Sequence, residues 1–451
     1  MLATTRTAPP IKRSLQGLTA SASKKNKLNQ MTMLTSTAPT AARPLTPLVL
    51  SLLQRNHNEH HMYFAGGLHN HFPHTLLSQF ALGASEERLN REWSLEDPDL
   101  EKLGEPVQNI AMNEDNWREF IGIRRYYPNY LKFFDELVQR DGIIPTTVKY
   151  AFDPVLIPSV LSGLLHPLIH IGFGVEFSSP LVTAEGLAEA CTHQPKMKPV
   201  LDATRKHLEL NQSASHLNYN RKRIVEFFDT LRKDARLDGM VTVDNDDKTA
   251  ATIQKCAEVI AEYANLWKIE ETPAGIQDAL HTLFHTTTDL YASTGLRPGH
   301  PASPRLDFFL LHLFTATLAT RHLLPHLTIA ASRDLLHAHF TICLTFYIAR
   351  GRPPVQPTLL LALPVKNSPA LKTWDQIAQY AHESEDLHVP KVVRTLKIAE
   401  EMYGQENDLW IQAARVTIDK LVIKAGEWDR DGCGYEETWG VEAEYPERGN
   451  H

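Results

Sequence analysis

Residues 306–323 read LDFFLLHLFTATLATRHL, and residues 329–349 read IAASRDLLHAHFTICLTFYIA. Two runs of that length, apolar at almost every turn and parted by Leu324-Pro325-His326-Leu327-Thr328, predict a pair of deeply buried helices. The same spacing recurs outward from this pair. Thr46 as N-cap with Pro47 in the first position opens a helix over 46–55. Ser85 with Glu86 opens another that runs to Trp93. Residues 129–139 (NYLKFFDELVQ) place Leu131, Phe134, Leu137 and Val138 on one stripe. Further helical spans are read at 184–192, 221–231, 249–266, 274–291, 373–382, 389–403 and 408–423, and 154–171 is apolar enough for complete burial. Neither evenly spaced short β runs, nor alternating strands and helices, nor a 20–50-residue repeat is visible. The expectation is an all-α protein, a single large helical domain with an internal buried site.

The composition sets bounds. A chain of 451 residues with 43% hydrophobic and 22% charged residues is globular. A net charge of −7 argues against a general nucleic-acid binder. Cys191, Cys256, Cys343 and Cys433 form no CxxC pair, which fits a reducing, cytoplasmic setting. No apolar run reaches the 18 residues that a membrane span needs. Residues 1–58 hold eight Lys/Arg and no Asp or Glu. Residues 1–44 read as a disordered tail, as sequence upstream of a start at Met31 or Met33, or as an organelle transit peptide. Residues 45–426 read as the helical catalytic domain, with polar loops at 193–220 and at 237–248, the second holding a turn or a small hairpin. Residues 427–451 form an acidic tail that Trp428, Tyr435, Trp439 and Tyr445 should lay across the body. Nothing in the chain indicates an oligomeric state.

The chemistry lies in histidines. Many of the 22 stand in apolar surroundings, where an imidazole is costly unless its nitrogens find partners. A metal ion is one such partner. In His69-Asn70-His71-Phe72-Pro73-His74, His71 and His74 share a face if helical, and His69 and His71 only if extended. At least one is read as a ligand, while the others cap backbone groups. His166 and His170 lie four apart at the end of a run almost free of other polar groups, as ligands or as hydrogen-bonded core imidazoles. His312 is a lone polar ring in an apolar helix, where a satisfied core histidine is the plain reading. Asp307, just before it, caps or supports. His388 and Lys391 stand three apart near a helix start set by Pro390. Lys391 leads into an apolar face, where its charge must be removed, paired or snorkelled outward. A neutral amine can add carbon dioxide to give a carbamate. Gly172-Phe173-Gly174 is not a GxGxxG fingerprint, and no P-loop occurs, so a Rossmann-bound flavin or nicotinamide is unsupported.

Taken together, these stretches resemble the questin oxidase-like family of fungal polyketide pathways. The resemblance is carried by NHNEHHMYFAGGLHNHFPHTLLSQFALGAS (56–85), HPLIHIGFGVEF (166–177), LVTAEGLAEA (181–190), RLDFFLLHLFT (305–315), YIARGRP (347–353) and DLHVPKVVRTL (386–396). It implies an oxygenase that opens a ring of an anthraquinone-type polyketide, with O2 and an aromatic polyketide as partners. An iron-bearing branch uses four His and a carboxylated Lys around non-haem Fe(II). Carried over by residue, that implies His71, one of His166 or His170, His312, His388 and Lys391 as ligands. Lys391, His74 and Asp307 are the catalytic candidates. Asp307 or Glu176 would accept imidazole N–H groups, and Phe173, Phe177, Phe308 and Phe309 would wall the cavity. NADPH is implied as a reductant in members described as Baeyer–Villiger-type. The alternatives are a metal-free, NADPH-dependent Baeyer–Villiger oxidase, a metal-free helical scaffold, and a metal-dependent hydrolase with two bridged zinc ions, which would need the strand ends of an eight-stranded barrel.

Overall fold

The computed structural model describes residues 43–210, 221–297, 304–365 and 371–439. Eighteen α-helices among the described residues carry the fold, which is all-α as the sequence predicts. The only sheet among the described residues is an antiparallel hairpin of Tyr63–Phe64 and Leu68–His69, so no barrel exists there to house a bridged-zinc hydrolase site.

The deciding pair folds as Phe308–Leu323 and Ile329–Ala349. Asp307 caps the first helix, accepting from the backbone N–H of Phe309 and Leu310 at 2.9 and 3.1 Å. Thr328 caps the second by accepting from Ala331 at 3.2 Å. Thr315 and Thr317 donate back to the carbonyls of His312 and Leu313, which satisfies hydroxyls that would otherwise be buried alone. Every residue from Leu310 to Thr320 is buried. At about 1.5–3 kcal/mol per large apolar side chain, packing rather than propensity fixes this helix.

Against it lies the His166–Glu176 helix, buried at every position through Val175. Their crossing is at Gly172, where a Cβ would stand 2.3 Å from Ala319 Cβ. Only glycine lets the two backbones approach so closely. Pro180–Thr192 folds back along His166–Glu176, and Tyr127–Asp141 covers it. Phe72–Ala81 packs on Val389–Tyr403, and both touch this central group.

Several expectations change. Residues 154–171 do not form one run. Ile157–Val160 is a single turn, Gly163–Leu165 is a tight 3-10 turn, and a new helix starts at His166. Gly163, Leu164 and Leu165 all have positive φ, at 56°, 55° and 64°. A left-handed residue bearing a Cβ costs about 1–2 kcal/mol, so the surrounding packing imposes this turn. The 193–220 loop contains a helix, Lys198–Leu210, packed on Lys248–Ala264; residues 211–220 lie outside the described residues. Residues 237–248 form turns without a hairpin. In the tail, Trp428 is buried and the Gly434 N–H donates to the Arg350 carbonyl at 3.0 Å. Residues 1–42 and 440–451, with Met31, Met33 and Tyr445, lie outside the described residues. No helix among those described is long and apolar enough to cross a membrane. All four cysteines are free and buried.

Candidate metal centre

Four segments deliver five side chains to one place. His71 is the residue before the Phe72–Ala81 helix, and Pro73 starts that helix. His166 is the first residue of its helix, aimed by the left-handed turn. His312 stands one turn into Phe308–Leu323. His388 precedes Val389–Tyr403, with Lys391 in its first turn. All five are buried. The imidazoles close into a ring, with centroid separations of 5.0 Å for His71–His166, 4.8 Å for His166–His312, 5.1 Å for His312–His388 and 4.8 Å for His388–His71.

The outer nitrogens fix the tautomers. A carbonyl can only accept, so Nδ1 carries the proton in His71 (2.6 Å to the His69 oxygen), His166 (2.6 Å to Gly163) and His312 (2.7 Å to Phe308). His388 Nδ1 lies 3.4 Å from Asp386 Oδ1. The other oxygen of Asp386 accepts the Trp428 indole N–H at 2.8 Å. Burial keeps the rings neutral. It pushes His71, His166 and His312 far below the ordinary imidazole value and His388 to about 4, and the neighbouring cations add to the effect. Each ring therefore presents a lone pair at Nε2. Nε2 of His312 and of His388 meets no hydrogen-bond partner. Nε2 of His71 and Nε2 of His166 face each other at 3.0 Å as two acceptors. Leaving such acceptors buried costs about 1–3 kcal/mol each, which a bound cation would remove. Nitrogens of His71, His312 and His388 all lie within 4.8 Å of one another. The donor set fits a transition-metal ion held by imidazoles.

Lys391 completes the group. Burial pulls its amine down to about 7, only partly offset by Asp386 and Glu96. Amine and ammonium therefore coexist near neutral pH. Lys391 borders a narrow cavity of about 10 Å³, lined also by Gly172, Phe173, Glu176, Thr315 and Arg394. As folded, the pocket takes a water or a diatomic gas and excludes a tricyclic ring.

A second line of groups leads outward. His74 Nε2 donates to His170 Nδ1 at 2.9 Å, and His170 Nε2 donates to Glu185 Oε2 at 3.0 Å. Glu185 Oε1 meets His57 Nδ1 at 3.0 Å, and His57 Nε2 meets Asp135 at 3.1 Å. Asp135 is 39% exposed, so the line reaches solvent. Burial opposes a charged His57, but its hydrogen bonds to the Asp135 and Glu185 carboxylates, with their charge, outweigh it and lift His57 to about 10. Within the His166/His170 pair, His166 joins the ring and His170 joins this relay. His74 Nδ1 has no partner.

Asp307 is placed differently from the catalytic expectation. One oxygen caps its helix and the other accepts from Arg350 at 2.7 Å, so the carboxylate is fully engaged in structure. Glu176 pairs with Arg394 and with His322 at 3.2 Å, and serves no ring imidazole. Phe308 and Phe173 do touch the site: Phe308 packs on His312 and His388, and Phe173 stacks on His74. Phe309 lies instead under the Arg350 guanidinium, and Phe177 is stacked on Phe173. Sequence reasoning passed over Glu185, Glu189, His57 and His193. The available signal was that Glu185 and Glu189 are the only acids in LVTAEGLAEA, four apart on a buried helix.

A family model described as questin oxidase-like matches residues 68–396. A questin oxidase of Aspergillus fumigatus is 26% identical over 428 residues, covering 86% of this chain and 92% of that protein. A Baeyer–Villiger oxidase of Pestalotiopsis fici is 27% identical over 404 residues, covering 82% and 86%. An oxidoreductase of Aspergillus parasiticus is 27% identical over 372 residues, covering 77% and 72%.

Proposed function

The chain belongs to the questin oxidase-like family and is an oxidoreductase, and from that premise we propose that it is a non-haem iron-dependent oxygenase opening a ring of an anthraquinone-type polyketide in fungal secondary metabolism. The observation that carries the iron reading is the convergence of four Nε2 lone pairs beside Lys391. His71, His166, His312, His388 and Lys391 would hold Fe(II). Lys391 would serve as its free amine, or as the carbamate formed when that amine adds CO2 and releases a proton. Iron(II) there would supply dioxygen activation.

The chain's own groups do the rest. His74 Nδ1 is the free base that takes a proton from a phenolic hydroxyl. The His74–His170–Glu185 hydrogen bonds draw that proton inward to the Glu185 carboxylate, which the charged His57 ties to Asp135 at the surface. Phe173 and Phe308 offer aromatic faces to a flat substrate. The Glu176–Arg394 pair, with its guanidinium over Phe173, has to move for a tricyclic ring to enter. NADPH would act as a reductant that reaches the enzyme from solution.

The names of the relatives favour a second reading, a Baeyer–Villiger insertion next to a carbonyl. In that reaction the ketone, O2, NADPH and a proton give the ester, NADP+ and water. Turnover of an anthraquinone under 18O2, with and without iron removal, separates the two. The iron reading expects two labelled oxygens in the product and complete loss of turnover on chelation, restored by Fe(II). One labelled oxygen, one NADPH consumed and full activity without iron would overturn it.

A further inference from the structure

We infer a second cation site, built from His69, Glu189 and His193, that takes one divalent first-row transition-metal ion of the zinc or iron(II) class. It lies beside the proposed iron centre and uses none of that centre's ligands. Glu189 and His193 stand four apart where the Pro180–Thr192 helix ends, and so share a face. His69 arrives from the hairpin.

His69 Nε2 and His193 Nε2 are 2.8 Å apart, and Glu189 Oε1 lies 3.6 and 3.7 Å from them. One point stands about 2.0 Å from all three atoms, the length of a zinc–imidazole or zinc–carboxylate bond. Two imidazoles and one carboxylate are the protein ligands of open zinc sites and of iron(II) facial triads.

The carboxylate is the independent sign of a ligand. Glu189 is fully buried, and neither of its oxygens has a hydrogen-bond partner. No other carboxylate among the described residues has both oxygens in that state. Glu185, one turn earlier on the same helix, has both oxygens held by imidazoles.

The backbone also makes room for this arrangement. A Cβ on Gly163 would stand 2.3 Å from Cε1 of His193 and 2.7 Å from its Nε2, so only glycine seats that ring. The Gly163 carbonyl takes the His166 N–H, and His69 stacks on His166 at 4.1 Å, so the two sites share a wall. Tyr63 packs 5.4 Å from both His69 and His193. Arg124 stacks on Tyr63 and sets positive charge against an ion, which the Glu189 carboxylate offsets.

The test uses the full chain stripped of metal and titrated with Zn2+, read by bound-metal content and by the thermal midpoint. Wild type, Glu189→Gln, His193→Ala and His388→Ala are compared. Wild type is expected to bind two equivalents. Glu189→Gln and His193→Ala lose one, and His388→Ala loses the other. Glu189→Gln keeps the side-chain shape and decides the question even if His193→Ala fails to fold. If Glu189→Gln holds as much zinc as wild type, the second site is overturned and His69–His193 is a hydrogen-bonded pair only. Wild type that binds no zinc overturns it too, as does a single equivalent lost from every variant, since that means one shared ion. Loss in Glu189→Gln with no change in His388→Ala leaves this site standing and withdraws support from the iron centre.

Discussion

Two buried polar networks sit five residues apart on the Phe308–Leu323 helix, and they are built on opposite principles. At the helix start, Asp307 holds Arg350 at 2.7 Å, Arg350 reaches Asp429 at 3.4 Å, and Arg305 pairs with Asp429. Two acids face two bases, and Asp307 also caps the helix. Around His312 there is no such balance: neutral rings aim lone pairs at one another and leave them unmatched. The first network is complete in the protein alone and belongs to stability. The second leaves its lone pairs without partners in the protein alone, and the proposed cation would supply the missing one.

Breaking the second network should give the largest effect. On the proposed iron reading, His312→Ala or His388→Ala is expected to lower kcat/KM by about 10³-fold or more, since losing a ligand would remove several kcal/mol of transition-state stabilisation. Metal content should fall with it while helicity measured by circular dichroism persists. Breaking the first should do the reverse. Asp307→Ala leaves Arg350 buried with too little charge to pair, at a cost of about 3–5 kcal/mol in a denaturant titration. The protein that remains folded should keep its metal.

Lys391→Met sharpens the contrast by replacing a costly buried amine with an apolar chain of similar length. The metal-free variant should be about 1–3 kcal/mol more stable than wild type at pH 7, yet inactive. The smallest effect is a slope. His57 binds its proton more tightly folded (about 10) than unfolded (6.5), so its contribution is fully present below pH 6.5 and lost as pH rises towards 10. Lys391, lowered from 10.5 to about 7, acts oppositely, and stability rises with pH across that window. In metal-free protein between pH 7 and 10, His57→Gln should therefore make stability rise more steeply than in wild type, by at most about 1.4 kcal/mol per pH unit. Identical slopes in the two proteins would sink the charge assigned to His57.

The sequence shows helices whose ends carry their own chemistry. Thr46 and Ser85 cap where expected, and Val389–Tyr403 has the expected bounds. What it hides is imposed from a distance. No local signal makes Leu164 and Leu165 left-handed; their neighbours do. Lys198–Leu210 was masked because its exposed face is rich in charge, which alone reads as a loop. At the site, the residues alone leave His312 as a plain core histidine; the family resemblance gathers the ring, and both leave His166 and His170 equivalent. Only the fold turns one to His71 and the other to Glu185. Asp307 caps its helix as one sequence reading expects; its pairing with Arg350, which occupies the other oxygen, comes from a distant segment.

The Trp428 indole grips Asp386, which in turn steadies His388. The ribosome makes Trp428 after every member of the ring, so a nascent chain would lack that brace until the segment around Trp428 had emerged and docked. Loading of the proposed ion during synthesis would then wait on a segment translated after all five side chains, and a break just before Trp428 would disturb a centre whose own residues it leaves untouched.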